Sequence, residues 1–216
     1  MRCVILDVDG VVVHGFHANP EKRRPWDVAL ESDLGISRQR LTETFFNGVF
    51  ASEIVTGRKS LVEALDDVLP GLGYRGSTLD FIAYWLERDS VLDNDLLTAI
   101  AAVRKSGARV YLATNQEHIR AFHLWATLGL QARFDDIYYS ARLGVTKPQA
   151  AFFEAVSTRI GKQRQPPLFF DDSSRNVDAA TAHGWEAVVY EGIGDFLDHP
   201  WVAGQLAGIP APAAKE

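Results

Sequence analysis

Two carboxylates stand one residue apart at the end of an apolar run: Asp7 and Asp9 follow Cys3, Val4, Ile5 and Leu6, and Gly10 comes next. A short β-branched run predicts a buried strand. Its two-residue period sends Asp7 and Asp9 to the same side at the carboxyl end, and Gly10 lets the backbone turn beside them. Like charges this close, drawn out of water, need a cation or a proton between them. Alone, DxDG also describes a solvated acidic turn, so its chemistry depends on what else the chain brings to the same place.

Three further stretches end in polar residues of the right kind. ARVYLATN (108–115) closes on Thr114 and Asn115, Lys147 precedes Pro148 ahead of the helical pattern KPQAAFFEAVSTRIG, and PLFFDD (167–172) closes on Asp171 and Asp172. If the apolar runs are strands of one parallel sheet, their carboxyl ends form one crevice, where such sheets bind ligands, and Lys147 in its loop before a helix could reach the same edge. Oxygen-only ligands without histidine or cysteine suit a hard cation, and Mg²⁺ is the usual one where phosphate is also present. Asp7 attacking a phosphorus is an anion approaching an anion, which Mg²⁺ and Lys147 would offset. Charges about 4 Å apart interact by ~4 kcal/mol at an intermediate dielectric. Thr114 and nearby backbone N–H groups suit the equatorial phosphate oxygens, with Asn115 beside them. Asp9 is then free to protonate the leaving oxygen and to deprotonate the water that hydrolyses an aspartyl phosphate on Asp7.

The rest of the chain must position this set. After Val13 the polar segment HGFHANPEKRRP (14–25) reads as a linker. Helical patterns follow at 37–50, 57–69 and 77–89, the last with Ser77 as N-cap and Phe81, Ile82, Trp85 and Leu86 on one face. From Val91 the patterns alternate: helix near 93–105 ending at Gly107, strand 108–115, helix 117–128, strand 136–140, a helix with Pro148 in its first turn, strand 167–172, helix 175–183 and strand 186–190. This predicts an α/β fold, a Rossmann-like doubly wound parallel sheet with an inserted all-helical cap. Residues 1–14 and 91–205 are expected to form the core, 15–90 the cap, and 206–216 a loosely ordered tail.

Composition narrows the partners. A chain of 216 residues with 47% hydrophobic and 23% charged residues has the makeup of an ordinary globular protein. A formal net charge of -6 argues against a broad surface for nucleic acid or anionic membrane. The single cysteine excludes an internal disulfide, and no signal-peptide pattern or membrane-length apolar run is present, so a cytoplasmic protein, monomeric or a small homo-oligomer, is expected. GLGYRG (71–76) matches a dinucleotide fingerprint but follows a helical pattern, and GRKS (57–60) lacks the upstream glycine of a phosphate loop; both read as ordinary loops. His14 and His17 follow the acidic turn within reach of a substrate, and Arg23 and Arg58 are cations available to a second anionic or hydroxyl-rich group.

Taken in order, DVDGV (7–11), ATN with Thr114, TKP (146–148) and FFDDSSRN (169–176) resemble the motifs of the haloacid dehalogenase superfamily, with a helical cap between the first two. The resemblance implies Asp7 as nucleophile, Asp9 as acid/base, Thr114 and Lys147 as phosphate binders, and Asp172 as metal ligand supported by Asp171. It adds the Asp9 backbone carbonyl as a further Mg²⁺ ligand. Asn176 looks structural, hydrogen-bonding to backbone at the helix start. FFDDSSRNVDAA is similar to the branch of phosphatases that act on sugar phosphates such as glucose 1-phosphate. The implied function is a Mg²⁺-dependent phosphatase of a small phosphorylated metabolite. Alternatives within the resemblance are a phosphomutase of the β-phosphoglucomutase type, a haloacid dehalogenase, which the acids at 9, 171 and 172 disfavour, and a non-catalytic phosphometabolite-binding protein.

Overall fold

The structure, a computed structural model, describes residues 2–208. Its strands in chain order are β1 (Val4–Leu6), β2 (Val13–His14), β3 (Val91–Leu92), β4 (Val110–Thr114), β5 (Asp136–Tyr139), β6 (Leu168–Asp171) and β7 (Glu186–Val189). Five of them form a parallel sheet in the order β5, β4, β1, β6, β7. Successive side chains alternate between two apolar clusters. Val4, Leu6, Val110, Leu112, Leu168 and Phe170 enter one, while Cys3, Ile5, Tyr111, Ala113 and Phe169 enter the other. Burial on both faces is why these strands read as unbroken apolar runs. In register, Leu6 lies opposite both Leu112 and Phe170, so Asp7, one residue on, stands level with the ends of β4 and β6.

The chain leaves β1 through a tight turn in which Gly10 adopts φ +76° and donates its N–H to Val13 O at 2.9 Å. β2 then pairs antiparallel with β3, Val13 with Leu92 and His14 with Val91. The exit and return of everything between therefore run side by side. That intervening segment holds α1 (Leu30–Leu34), α2 (Arg38–Leu41), α3 (Leu61–Val68) and α4 (Thr78–Arg88). Serines 37, 60 and 77 cap three of them, each accepting a backbone N–H. α2 continues in wide turns through Thr42–Ile54 and breaks at Gly48, whose backbone is not helical, so the helix expected over 37–50 is longer and kinked. Residues 57–60 lie ahead of α3 and are not helical. Leu30, Phe45, Leu65, Phe81 and Trp85 form an apolar core of this unit's own, separate from the two that flank the sheet. Trp26 packs edge-on to Phe46, Phe81 and Tyr84. GLGYRG begins in the helical turn Leu69–Leu72 and continues as a loop from Gly73, which is left-handed at φ 90°. The linker is less featureless than its composition: it contains His14 of β2 and a helical turn at Pro20–Lys22.

After β3, α5 (Asn94–Lys105) begins on the cap residue Asp93 and buries Leu96, Leu97, Ile100 and Val103 against one face of the sheet. α6 (His118–Phe122) follows β4 and runs on in wide turns to Thr127, and α7 (Ser140–Leu143) follows β5. α8 (Ala150–Ile160) and α9 (Ser174–Ala182) cover the other face through Phe152, Phe153, Val156 and Ala180. Pro148 stands ahead of α8 rather than in its first turn, because Gln149 is extended and the helix opens at Ala150. α10 (Ile193–Leu197) and α11 (Pro200–Ala207) complete the first face with Phe196 and Val202. The loose tail expected from 206 is helical through Ala207, and residues 209–216 lie outside the described residues. No helix among the described residues is long and apolar enough to cross a membrane.

Phe81 is fully buried in the core of the helical unit, between Trp26 and Tyr74. Phe81→Ala should cost about 3–5 kcal/mol in denaturant unfolding; a loss below about 1 kcal/mol would show that this cluster does not support the fold.

Candidate active site

At the end of β1, Asp7 is tied in place by its own backbone, its N–H donating to Phe170 O at 2.9 Å. Its side chain is buried, with Oδ1 accepting from the Val8 N–H at 2.7 Å and Oδ2 2.9 Å from Lys147 Nζ. The Lys147 ammonium, itself buried, also donates to Asp171 Oδ2 at 2.6 Å. Burial alone would drive this lysine towards its neutral form, but Asp171 and Asp7 outweigh it and raise its pKa. Asn115 fixes the lysine from below: Asn115 Oδ1 accepts the Lys147 N–H at 2.8 Å and Nδ2 donates to Lys147 O at 3.0 Å. Both ends of the Asn115 amide are thus engaged by the backbone of Lys147. Thr114 closes β4, buried, level with Tyr139 of β5.

The two acids after β6 differ in their surroundings. Asp171 is fully buried and already hydrogen-bonded; besides Lys147, it accepts from Ser173 N at 2.9 Å and from Asn176 Nδ2 at 3.0 Å. Asn176 therefore does not bond to backbone at the helix start, as its position predicts, but steadies the Asp171 carboxylate. Asp172 accepts the Ala18 N–H at 2.6 Å and lies 3.5 Å from His17 Nδ1. A Cβ on Gly10 would collide with Asp172 Oδ2, so glycine serves there both for its positive φ and for this close approach.

Carboxylate oxygens of Asp7, Asp171 and Asp172 lie within 4.8 Å of one another. One ammonium against three carboxylates leaves the cluster anionic. Burial, reinforced by the neighbouring acids, holds the Asp7 carboxyl well above the usual range against the pull of Lys147. Burial likewise pushes Asp172 up to about 6. Three buried oxygen donors, Asp7 and Asp172 among them with ionisation opposed by burial, match what a hard divalent cation requires and would relieve.

Asp9 sits beside this cluster but pairs elsewhere. The guanidinium of Arg120 grips it with both nitrogens, Nη2 to Oδ1 at 2.7 Å and Nη1 to Oδ2 at 3.0 Å, and Gln116 Nε2 donates to the same Oδ2. Arg120 is buried and also contacts Asp89 Oδ2 at 3.0 Å. Burial pushes Asp89 up to about 6, against the opposing pull of Arg120. Gln116, Arg120 and Asp89 are not among the residues the sequence singles out. Arg120 lies on α6, the helix after β4 that opens at the same rim as Thr114, a place that no motif marks in the sequence. Of the other candidates, His17 is buried against Asp172, whereas His14 faces Asp93 at 3.7 Å. Arg23 stacks over Phe16 and donates to His17 O at 2.8 Å.

A profile of the haloacid dehalogenase-like hydrolases matches residues 1–184. No curated protein matches the sequence. Among solved structures, a haloacid dehalogenase family enzyme of Bacteroides thetaiotaomicron, crystallised with magnesium, superposes with a TM-score of 0.70 at 21% identity, over 88% of this chain and 93% of that one. The same enzyme in complex with magnesium and inorganic phosphate gives 0.63 at 19% identity, over 88% and 94% of the two chains. A haloacid dehalogenase family phosphatase of Thermococcus onnurineus gives 0.59 at 18% identity, over 90% and 88%. Fold, motif order and a profile match spanning most of the chain agree, and the chain belongs to the haloacid dehalogenase-like hydrolases.

Proposed function

We propose that this hydrolase is a Mg²⁺-dependent phosphatase of a small phosphorylated metabolite, a sugar phosphate by the likeness of its last motif, and that the helical unit is a cap over the site. The observation that carries the reading is the Lys147 ammonium held between Asp7 and Asp171 beside a buried three-acid cluster. The magnesium and inorganic phosphate bound by the Bacteroides enzyme support it.

In this reading, Asp7 and Asp172, with Asp171 behind them and the Asp9 carbonyl beside them, would hold Mg²⁺. When bound, the ion neutralises the acids and the phosphoryl oxygens. Lys147 and Thr114 orient the phosphoryl group. An Asp7 oxygen forms a bond to phosphorus as the ester P–O bond breaks, and the departing oxygen takes a proton from Asp9. Asp9, now a carboxylate, accepts a proton from water as that water attacks the aspartyl phosphate, releasing inorganic phosphate and restoring Asp7. A closed cap keeps bulk water from the intermediate.

Asp7→Asn should lower turnover of phosphomonoesters by roughly 10³-fold or more while leaving the melting curve cooperative; substantial activity in this variant would remove the proposed nucleophile. Chelation should abolish activity, and added Mg²⁺ should restore it; undiminished turnover in chelator excludes the metal-dependent reading.

The raised carboxyl of Asp172 also gives a stability test. With a folded pKa of about 6 against an ordinary 3.8, the native metal-free protein binds more protons than the unfolded chain between these values. This group's contribution therefore falls as pH rises from about 4 to 6. Mg²⁺ needs the deprotonated acid, so the rise in melting temperature on adding Mg²⁺ should grow between pH 5 and pH 7. A rise independent of pH would count against Asp172 as a ligand.

A further inference from the structure

Arg120 is a buried cation in a site whose chemistry, as proposed above, uses another cation. Its guanidinium lies between two acids from different parts of the fold: Asp9, in the turn after β1, and Asp89, the residue that ends α4 just before the chain returns through β3. Towards Asp9 the contact is two-pronged, at 2.7 and 3.0 Å, the fork geometry that fixes a carboxylate's plane as well as its position. Towards Asp89 it is doubled, Nη2 lying 3.0 Å from Oδ2 and 3.3 Å from the backbone carbonyl. Trp85 Nε1, within the core of the helical unit, donates to the same Asp89 oxygen at 3.1 Å. On the other side of Asp89, a Cβ on Gly15 would stand 2.5 Å from Oδ1, so the outgoing chain is packed against this acid.

We propose that Arg120 is the positioning residue for Asp9, anchored through Asp89 to the point where the helical unit leaves and rejoins the sheet. The inference rests on Asp9 being the acid/base of a phosphatase. A carboxylate in a solvated turn samples several rotamers, and proton transfer to a departing oxygen needs one of them. The fork holds Asp9 in one orientation, and Asp89 holds the guanidinium in its place. Gln116 adds a further donor to Asp9 from the loop after β4. No other cationic side chain contacts Asp9 among the described residues. Arg120 touches neither phosphate-binding Lys147 nor the three-acid cluster, so its part is played through Asp9 alone.

The proposal separates from a merely structural role by the leaving group. kcat/KM covers the reaction up to phosphoryl transfer and loss of the first product, where Asp9 donates its proton. p-Nitrophenyl phosphate releases a stabilised anion that needs no proton, whereas glycerol phosphate releases an alkoxide that does. Arg120→Lys keeps the charge and discards the fork. It should lower kcat/KM for glycerol phosphate at least about tenfold more than for p-nitrophenyl phosphate. Asp9→Asn should show the same pattern, and the double variant should lose little beyond Asp9→Asn alone, because both changes remove one function. Asp89→Asn, similar in shape, tests the anchor with less risk to folding and should reproduce a weaker form of the same discrimination. Equal losses on both esters for Arg120→Lys and Asp89→Asn, with Asp9→Asn still discriminating, would overturn the positioning role while leaving the phosphatase reading intact. Failure of Asp9→Asn to discriminate would remove the acid/base assignment itself, and the inference with it.

Discussion

Three carboxylates and one ammonium packed out of water at the carboxyl rim of a parallel sheet form the constraint that governs the rest of the structure. Such a cluster is unfavourable by itself: burial opposes the ionisation of Asp7 and Asp172, and their neighbours add to the cost. It persists because each member is held from several sides. Lys147 is fixed at its ammonium by two acids and at its backbone by both ends of the Asn115 amide. Asp171 accepts from Lys147, Ser173 and Asn176 at once. Asp7 is locked by the β1–β6 ladder through its backbone and by Val8 through its side chain. A rim built this way spends the folding energy of the apolar sheet on holding acids together whose charge only a cation or protons can neutralise.

The two adjacent acids after β6 do different work. Asp171 has its oxygens taken up by protein donors and serves mainly to place Lys147. Asp172 makes fewer protein contacts, and the most direct comes from the chain leaving the core, the Ala18 N–H at 2.6 Å. The segment after β2 is therefore tied back to the site instead of passing it by. Lys22 to Glu191 pins the same segment to the chain after β7, and Arg23 to His17 O braces it internally.

Much of this was legible because the rule for parallel sheets converts sequence positions into one spatial location. Residues at the ends of three separate runs meet once those runs are strands whose carboxyl ends coincide, and no long-range packing need be known. Asp7, Thr114 and Asp171 follow that rule directly, and Lys147 reaches the rim from its loop. What was not legible depends on partners that local pattern does not specify. Arg120 carries no motif; on α6 it reads as an ordinary helical cation until Asp9 and Asp89 are seen to flank it. Asn115 suggests an anion ligand because it follows Thr114, yet the loop holding Lys147 approaches closely enough to take up its amide. Asn176 is placed correctly in its helix but bonds to the Asp171 carboxylate, a partner that its sequence position does not specify. The kink at Gly48 escaped because apolar spacing continues across it even though the backbone does not.

The helical unit also meets the rim at a second place, far in sequence from Asp89. Ser140 Oγ, at the start of α7, lies 2.5 Å from Val55 O in the unit and 3.1 Å from Gln116 O in the loop that holds Asp9, so its one proton is shared between them. Beside it, a Cβ on Gly57 would stand 2.6 Å from Ala141 O, an approach that only glycine allows. Two contacts, one through Arg120 and one through Gln116, thus converge on the same carboxylate. Because the strength of charged interactions depends on how much water is excluded, the seating of this unit bears on Asp9 twice, through its direct partners and through the dielectric around them. These contacts act together with Ile119 of α6, which packs against the unit's apolar core, so the unit is held to the rim by both polar and apolar groups.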